Sequence, residues 1–206
     1  MKKKILILAF SMLLVFTACG SNKPTASDND AVPVSTKAPN AISQIATTNI
    51  VEEFEEKTYS FEPSTLVCNI PTAFSPSKEY EGEYVTKKFP KDISSINHVI
   101  MESDENPTNK TQEEFVSDLK KEFLDAYGEN VEFDVTQYDK IEIDGRPGLW
   151  IMYNYDFRGD HYYILEVILY NGTESNYLTY LQGPKGDWME EFAKSAETLH
   201  YVPIEN

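Results

Sequence analysis

Two segments, 149–157 and 163–169, constrain this chain more than any other, because they have the length and spacing of β-strands yet carry apolar side chains on both faces. Leu149, Ile151, Tyr153 and Phe157 oppose Trp150 and Met152, while Tyr163, Leu165, Val167 and Leu169 oppose Ile164 and Ile168. A strand with water on one side alternates apolar with polar residues, so strands of this kind lie under cover on both sides. Any fold open to the chain must place something on each face of a sheet.

The rest of the sequence supplies neighbours and covers. Strand signals at 131–143, 149–157, 162–170 and 177–182 are separated by Asp144-Gly145-Arg146-Pro147-Gly148, Arg158-Gly159-Asp160 and Asn171-Gly172-Thr173-Glu174. These breaks carry the turn chemistry that joins antiparallel neighbours, which predicts a four-stranded meander. Upstream, Tyr59-Ser60-Phe61, a turn at Glu62-Pro63-Ser64 and a strand over 66–70 are followed by Pro71, which cannot donate to a ladder. Two further strands are expected at 83–89 and 97–103.

Two helices are predicted. Thr111-Gln112-Glu113-Glu114 has capping-box spacing, Phe115, Leu119, Phe123 and Ala126 recur at helical intervals, and Gly128 supplies a stop. Near the C-terminal end, Asp187 and Glu190 form a second expected box ahead of a stripe of Trp188, Phe192, Ala196 and Leu199. One helix for each face gives an α+β fold, an antiparallel β-sheet covered by helices on both faces as an α/β/α sandwich.

The opening Phe61…Leu66-Val67-Cys68-Asn69-Ile70-Pro71, the amphipathic helix, the Ile143-Asp144-Gly145-Arg146-Pro147-Gly148 hairpin and the closing helix resemble the Mog1/PsbP-like fold. The resemblance covers about 150 residues, the size of one domain. It implies a fold that hosts unrelated roles, photosystem accessory subunits and a nuclear-transport partner among them, and so brings no catalytic residue with it.

A different signal occupies the N-terminal end. Lys2, Lys3 and Lys4 precede an apolar run, Ile5 to Phe16, interrupted only by Ser11, and then Thr17-Ala18-Cys19-Gly20. Charged, apolar and small-residue regions in that order form an export signal, and the run is short of the roughly 20 residues that span a bilayer. Phe16-Thr17-Ala18-Cys19 resembles the lipobox of bacterial lipoproteins, with Phe16 standing where Leu is usual. The resemblance implies cleavage before Cys19 and a diacylglyceryl group on its sulfur. Residues 1–18 are thus expected to be a lipoprotein signal peptide, and 19–49, rich in Ser, Thr, Asn, Asp, Ala and Pro, a lipidated cysteine with a disordered tether. Residues 50–206 remain for a single globular domain.

Charge and cysteine count narrow the partners. Of 18 basic residues three lie in the leader, leaving 15 against 34 acidic residues, a net charge near −19. Such a surface repels phosphate backbones, so no nucleic acid is expected, and a membrane is met through lipid. With Cys19 acylated, only Cys68 remains, and it is expected to be a buried, inert thiol beside Leu66 and Ile70.

The sequence yields no catalytic signature. HExxH, CxxC, GxSxG, Walker and GxGxxG patterns are absent, and His98, His161 and His200 have no carboxylate or second histidine at ligand spacing. The acidic runs Glu52-Glu53-Phe54-Glu55-Glu56 and Ser103-Asp104-Glu105-Asn106 lack the loop that places oxygens around calcium. No cofactor, metal or catalytic residue is expected. Eight of the thirteen tyrosines lie in the meander, most of them explained by β-propensity, and Tyr155, Tyr162 and Tyr170 are expected to stay exposed near strand ends as a ligand or partner surface. The expectation is a noncatalytic, membrane-anchored extracytoplasmic lipoprotein that binds an envelope protein or component. A solute- or glycan-binding lipoprotein is the alternative and a hydrolase the third, with oligomeric state open.

Overall fold

A computed structural model describes residues 54–61, 64–102 and 105–203. The expected leader, Cys19, the tether, Glu52, Glu53, Ser103 and Asp104 lie outside the described residues. In chain order the elements are β1 (Phe54–Phe61), β2 (Ser64–Pro71), β3 (Phe74–Pro76), β4 (Glu83–Thr86), β5 (Ser95–Glu102), a 3₁₀ turn (Pro107–Asn109) and α1 (Gln112–Tyr127). They continue with β6 (Phe133–Ile143), β7 (Arg146–Phe157), β8 (Asp160–Tyr170), β9 (Glu174–Gln182), α2 (Met189–Glu197) and β10 (His200–Pro203). Sheets dominate, and the class is α+β.

The expected meander is present as β6 to β9, and it forms the larger part of a seven-stranded antiparallel sheet ordered β3-β4-β5-β9-β8-β7-β6. Two of its turns are tighter than the sequence suggested. Asp144 and Gly145 have φ of 50° and 78°, and Arg158 and Gly159 have 52° and 88°, so each is a two-residue turn with both residues left-handed. That geometry matches the twist of the flanking strands. Arg146, Pro147 and Gly148 therefore belong to β7. Pro147 is tolerated because β7 pairs only with β6 there, its pairing with β8 beginning at Gly148 opposite Leu169. Gly148 is required for another reason, since a Cβ would stand 2.6 Å from the Ile168 carbonyl oxygen.

A second sheet was not foreseen. β1 and β10 flank β2 in a three-stranded antiparallel sheet, separate from the large one. Leu66, Cys68 and Ile70 alternate inward from β2 and join Phe192, Ala196 and Leu199 in a core with Leu165, Val167 and Leu169 of β8 and Leu178 and Tyr180 of β9. This corrects the picture of one sheet between two helices: on this face α2 shares the cover with β2. The opposite face of β7 and β8 meets rings from α1. Both faces of β8 are buried from Ile164 to Leu169, which explains the apolar character there, while Asp156 and Tyr163 near the β7–β8 turn are exposed.

Helix α2 also starts differently. Asp187 was expected to cap it, but Trp188 occupies the cap position and makes no side-chain cap bond. The Gln182 side chain at the end of β9 substitutes, its Oε1 accepting from the Trp188 and Met189 backbone N–H groups at 2.7 and 3.0 Å. A tertiary acceptor replaces the local one, and Glu190 instead pairs with Lys194 at 3.0 Å. At the edge of the large sheet, the register of β6 against β7 slips between Val135 and Gln137.

Candidate functional site

Helix α1 is specified locally and then fixed by packing. Thr111 Oγ1 accepts from the Glu114 N–H at 3.2 Å, Glu114 Oε2 accepts from the Thr111 N–H at 2.9 Å, and Gly128 closes the other end at φ 69°. Phe115, Leu119 and Phe123 form the buried stripe. Tyr138 on β6 donates its hydroxyl to the Lys110 carbonyl at 3.1 Å, holding the helix entry against the sheet.

Beneath this stripe lies a layer of rings. Phe115 meets Tyr138 and Tyr153, and Phe123 meets Tyr127, Phe133, Tyr155 and Phe157 at centroid distances of 4.6 to 5.9 Å. Tyr155 and Tyr162, expected at the surface, belong to it. Directly opposite each other on β7 and β8, they stack at 5.2 Å with 14° between planes, and each is 3 % exposed. Cross-strand ring stacking under α1 removes them from solvent. Tyr170 is half-buried, its hydroxyl donating to the Gly172 carbonyl at 2.6 Å. The exposed ring of this region is Tyr163, which points to the other face and meets His161 edge-on.

Next to the aromatic layer is a cavity of about 30 Å³, floored by Leu149, Ile168 and Tyr177 and roofed by Phe115, Leu119 and Glu122. A volume of that size holds one or two water molecules. Lys110 and Asp118, which pair at 2.5 Å, line the same space. Glu122 lines this space, and a second carboxyl group, Glu166, is buried on the sheet face that floors it. Glu166, on the same β8 face as Ile168, has no solvent exposure; Tyr153 donates to its Oε2 at 3.5 Å, and its Oε1 has no hydrogen-bond partner. Both Glu122 carboxylate oxygens are also buried without a partner.

Burial pushes the Glu166 carboxyl from the ordinary 4.5 up to about 8, and the charge of Glu122 adds to the rise. Glu122 is pushed up to about 7, by burial first and then by Asp118, against the opposing pull of Lys110 and Lys121. Tyr177, which lines the cavity, is driven to about 12 by burial and by Glu166. Desolvation disfavours the charged form of each group. The arrangement favours the protonated form of both carboxyl groups inside the interface between α1 and the sheet.

Neither glutamate belongs to a motif in the sequence. Their signals were present: Glu166 is the one charged residue in Ile164-Leu165-Glu166-Val167-Ile168-Leu169, and Glu122 follows Leu119 by three positions on the buried side of α1. The residues that were singled out lie elsewhere. Half-buried His98 donates from Nε2 to Asn176 Oδ1 at 2.7 Å, and desolvation lowers its pKa. His161 pairs across the β7–β8 hairpin with Asp156 at 2.7 Å, a carboxylate that linear spacing hid. His200 Nδ1 lies 2.8 Å from the Thr198 carbonyl. The structure brings none of the three histidines to the cavity. Cys68 is buried between Leu66 and Ile70 as expected, its thiol beside Tyr180. Among the described residues, no group of three or more His, Cys, Asp or Glu side chains is arranged to hold a metal ion.

No family model matches the chain. No curated protein matches it either. Solved structures do. The solution structure of cyanobacterial PsbP (CyanoP) from Synechocystis aligns over 78 % of this chain and 99 % of its own length, at 12 % identity and a TM-score of 0.54. A Pseudomonas aeruginosa protein, PA94, described as a putative regulator, aligns over 73 % and 99 % at 14 % identity and a TM-score of 0.41. A Bacteroides thetaiotaomicron protein aligns over 68 % and 46 % at 11 % identity and a TM-score of 0.39. The alignment with cyanobacterial PsbP spans nearly all of that protein, and the fold of this chain is PsbP-like.

Proposed function

We propose that the chain is a membrane-anchored extracytoplasmic lipoprotein that performs no catalysis and binds a protein or another envelope component. The observation that carries this reading is the sequence Phe16-Thr17-Ala18-Cys19 at the end of a short apolar run behind three lysines. Two acyl chains on one sulfur hold a protein at a bilayer stably, each buried methylene contributing about 0.8 kcal/mol. No helix among the described residues is long and apolar enough to cross a membrane. In the same reading α1 and α2 are the principal covers of the two sheet faces, and the body they enclose presents loops and a strongly acidic surface to its partner.

The cavity under α1 is itself no glycan site, since about 30 Å³ is far below the several hundred that a small-molecule site occupies. Burial of Tyr155 and Tyr162 removes two of the three rings on which that alternative stood. Mass analysis of the mature N-terminus tests the anchor: a diacylated Cys19 is expected, with Cys19→Ser released from the membrane fraction. An unmodified sulfur, or a Cys19→Ser chain held as firmly as the parent, would overturn it. Crosslinking in the native membrane tests the partner, and recovery of lipid and peptidoglycan alone, under conditions that capture known complexes, would remove it.

A further inference from the structure

We infer that Glu122 and Glu166 form a proton-held latch between α1 and the large sheet, so that loss of their protons loosens α1 from the aromatic layer it covers. The inference stands on where the groups lie. Glu122 is on the helix, Glu166 is on β8 beneath it, and three of their four carboxylate oxygens are buried without a hydrogen-bond partner. The charge of Glu122 raises the Glu166 carboxyl further, after burial. A neutral carboxyl is tolerated in such a place, whereas an unpaired buried carboxylate is not, and a second one nearby adds repulsion.

Opening α1 admits water to both groups. The charges facing them come from every neighbouring element: Asp118, Lys121 and Asp125 on α1, Lys110 just before it, Tyr153 on β7 and Tyr177 on β9. The two lysines favour ionised Glu122, but Lys110 is already paired with Asp118 and Lys121 with Asp125. Neither lysine is among the charges acting on Glu166. Glu166 is therefore the dominant half of the latch. The remaining hold on α1 comes from the buried stripe of Phe115, Leu119 and Phe123, the Tyr138 hydroxyl on the Lys110 carbonyl and the Lys120–Glu132 ion pair.

The size of the response follows from linkage. In the closed state Glu166 releases its proton near pH 8; in an opened state with water access it does so near the ordinary 4.5. Raising the pH from 6 to 8 therefore multiplies the opening equilibrium by about 50-fold from this group alone. Hydrogen exchange of the full chain, corrected for intrinsic rates and followed by mass spectrometry, reads this directly. Peptides from α1 are expected to lose protection by that factor while peptides from β8 keep theirs. Glu166→Gln, neutral at every pH and close in shape to the protonated acid, is expected to lose most of the dependence, and adding Glu122→Gln to remove the rest. Three results would overturn the latch: α1 protection that does not fall between pH 6 and 8, a fall of equal size in Glu166→Gln, or an equal fall in α1 and β8, which marks opening of the whole core.

Discussion

Phe123 is the side chain through which α1 grips the sheet, and its truncation tests the architecture most sharply. It has no exposed surface, and its ring meets Phe157 edge-on at 4.8 Å, Tyr127 at 4.6 Å, Tyr155 at 5.6 Å and Phe133 at 5.9 Å. Replacing a buried Phe by Ala costs about 3–5 kcal/mol through lost transfer energy and an unfilled cavity. Aromatic pairs add roughly 0.5–1.5 kcal/mol each beyond burial, which places Phe123→Ala toward the upper end of that range. A domain is stable by only about 5–15 kcal/mol, so the variant sits close to unfolding. Leu124 is the internal control: it is the next residue of the same helix but 41 % exposed, and Leu124→Ala should fall within about 0.5 kcal/mol of the parent. Urea unfolding at pH 6, followed by far-UV circular dichroism with the slope held common, measures both. If Phe123→Ala costs less than about 1.5 kcal/mol, α1 is not clamping the aromatic layer and the reasoning fails.

Other expectations concern single contacts. Gln182→Ala should lower the stability of the chain by about 1 kcal/mol while Asp187→Ala leaves it unchanged, and thermal denaturation of the pair distinguishes the tertiary cap from the local one. Gly148→Ala forces a Cβ to within 2.6 Å of a backbone carbonyl and should cost at least about 1–3 kcal/mol, read from the urea midpoint. Folded Glu166 keeps a proton that the unfolded chain releases above 4.5, so its contribution is fully present below that pH and is lost as pH rises toward 8. At about 1.4 kcal/mol per unit the loss approaches roughly 5 kcal/mol, and Glu166→Gln should be the more stable chain at pH 8. His98 acts in the opposite sense. Its lowered pKa costs stability as pH falls below 6.5, and because it is common to parent and variant it drops out of their difference.

The parts of the fold written in local chemistry were legible. Thr111, Glu114 and Gly128 announce α1, and Asp144-Gly145 and Arg158-Gly159 announce two hairpins, because caps and left-handed turns depend on residues a few positions apart. The parts that depend on distant chain were not. Nothing near Trp188 reveals that Gln182 will cap α2, and nothing in 54–61 or 200–203 reveals that these segments flank β2 in a sheet of their own. The candidate site was hidden for a similar reason. Glu122 and Glu166 are 44 positions apart, and each resembles an ordinary glutamate until helix and sheet meet. Tyr155 and Tyr162 were misplaced because nearness to a hairpin end suggested exposure, whereas Phe123 of α1 meets Tyr155 and Tyr162 stacks on Tyr155 from the neighbouring strand.

The slipped register of β6 has a consequence beyond the meander. β6 is the last strand of the seven, and its outer side offers unpaired backbone groups to any passing strand. The irregularity between Val135 and Gln137 bends that border, and Asp134, Asp139, Lys140 and Glu142 stud it with charge. A second copy seeking to extend the ladder would meet broken spacing and a charged border, both of which oppose edge-to-edge growth. On its β6 side the sheet thus terminates itself.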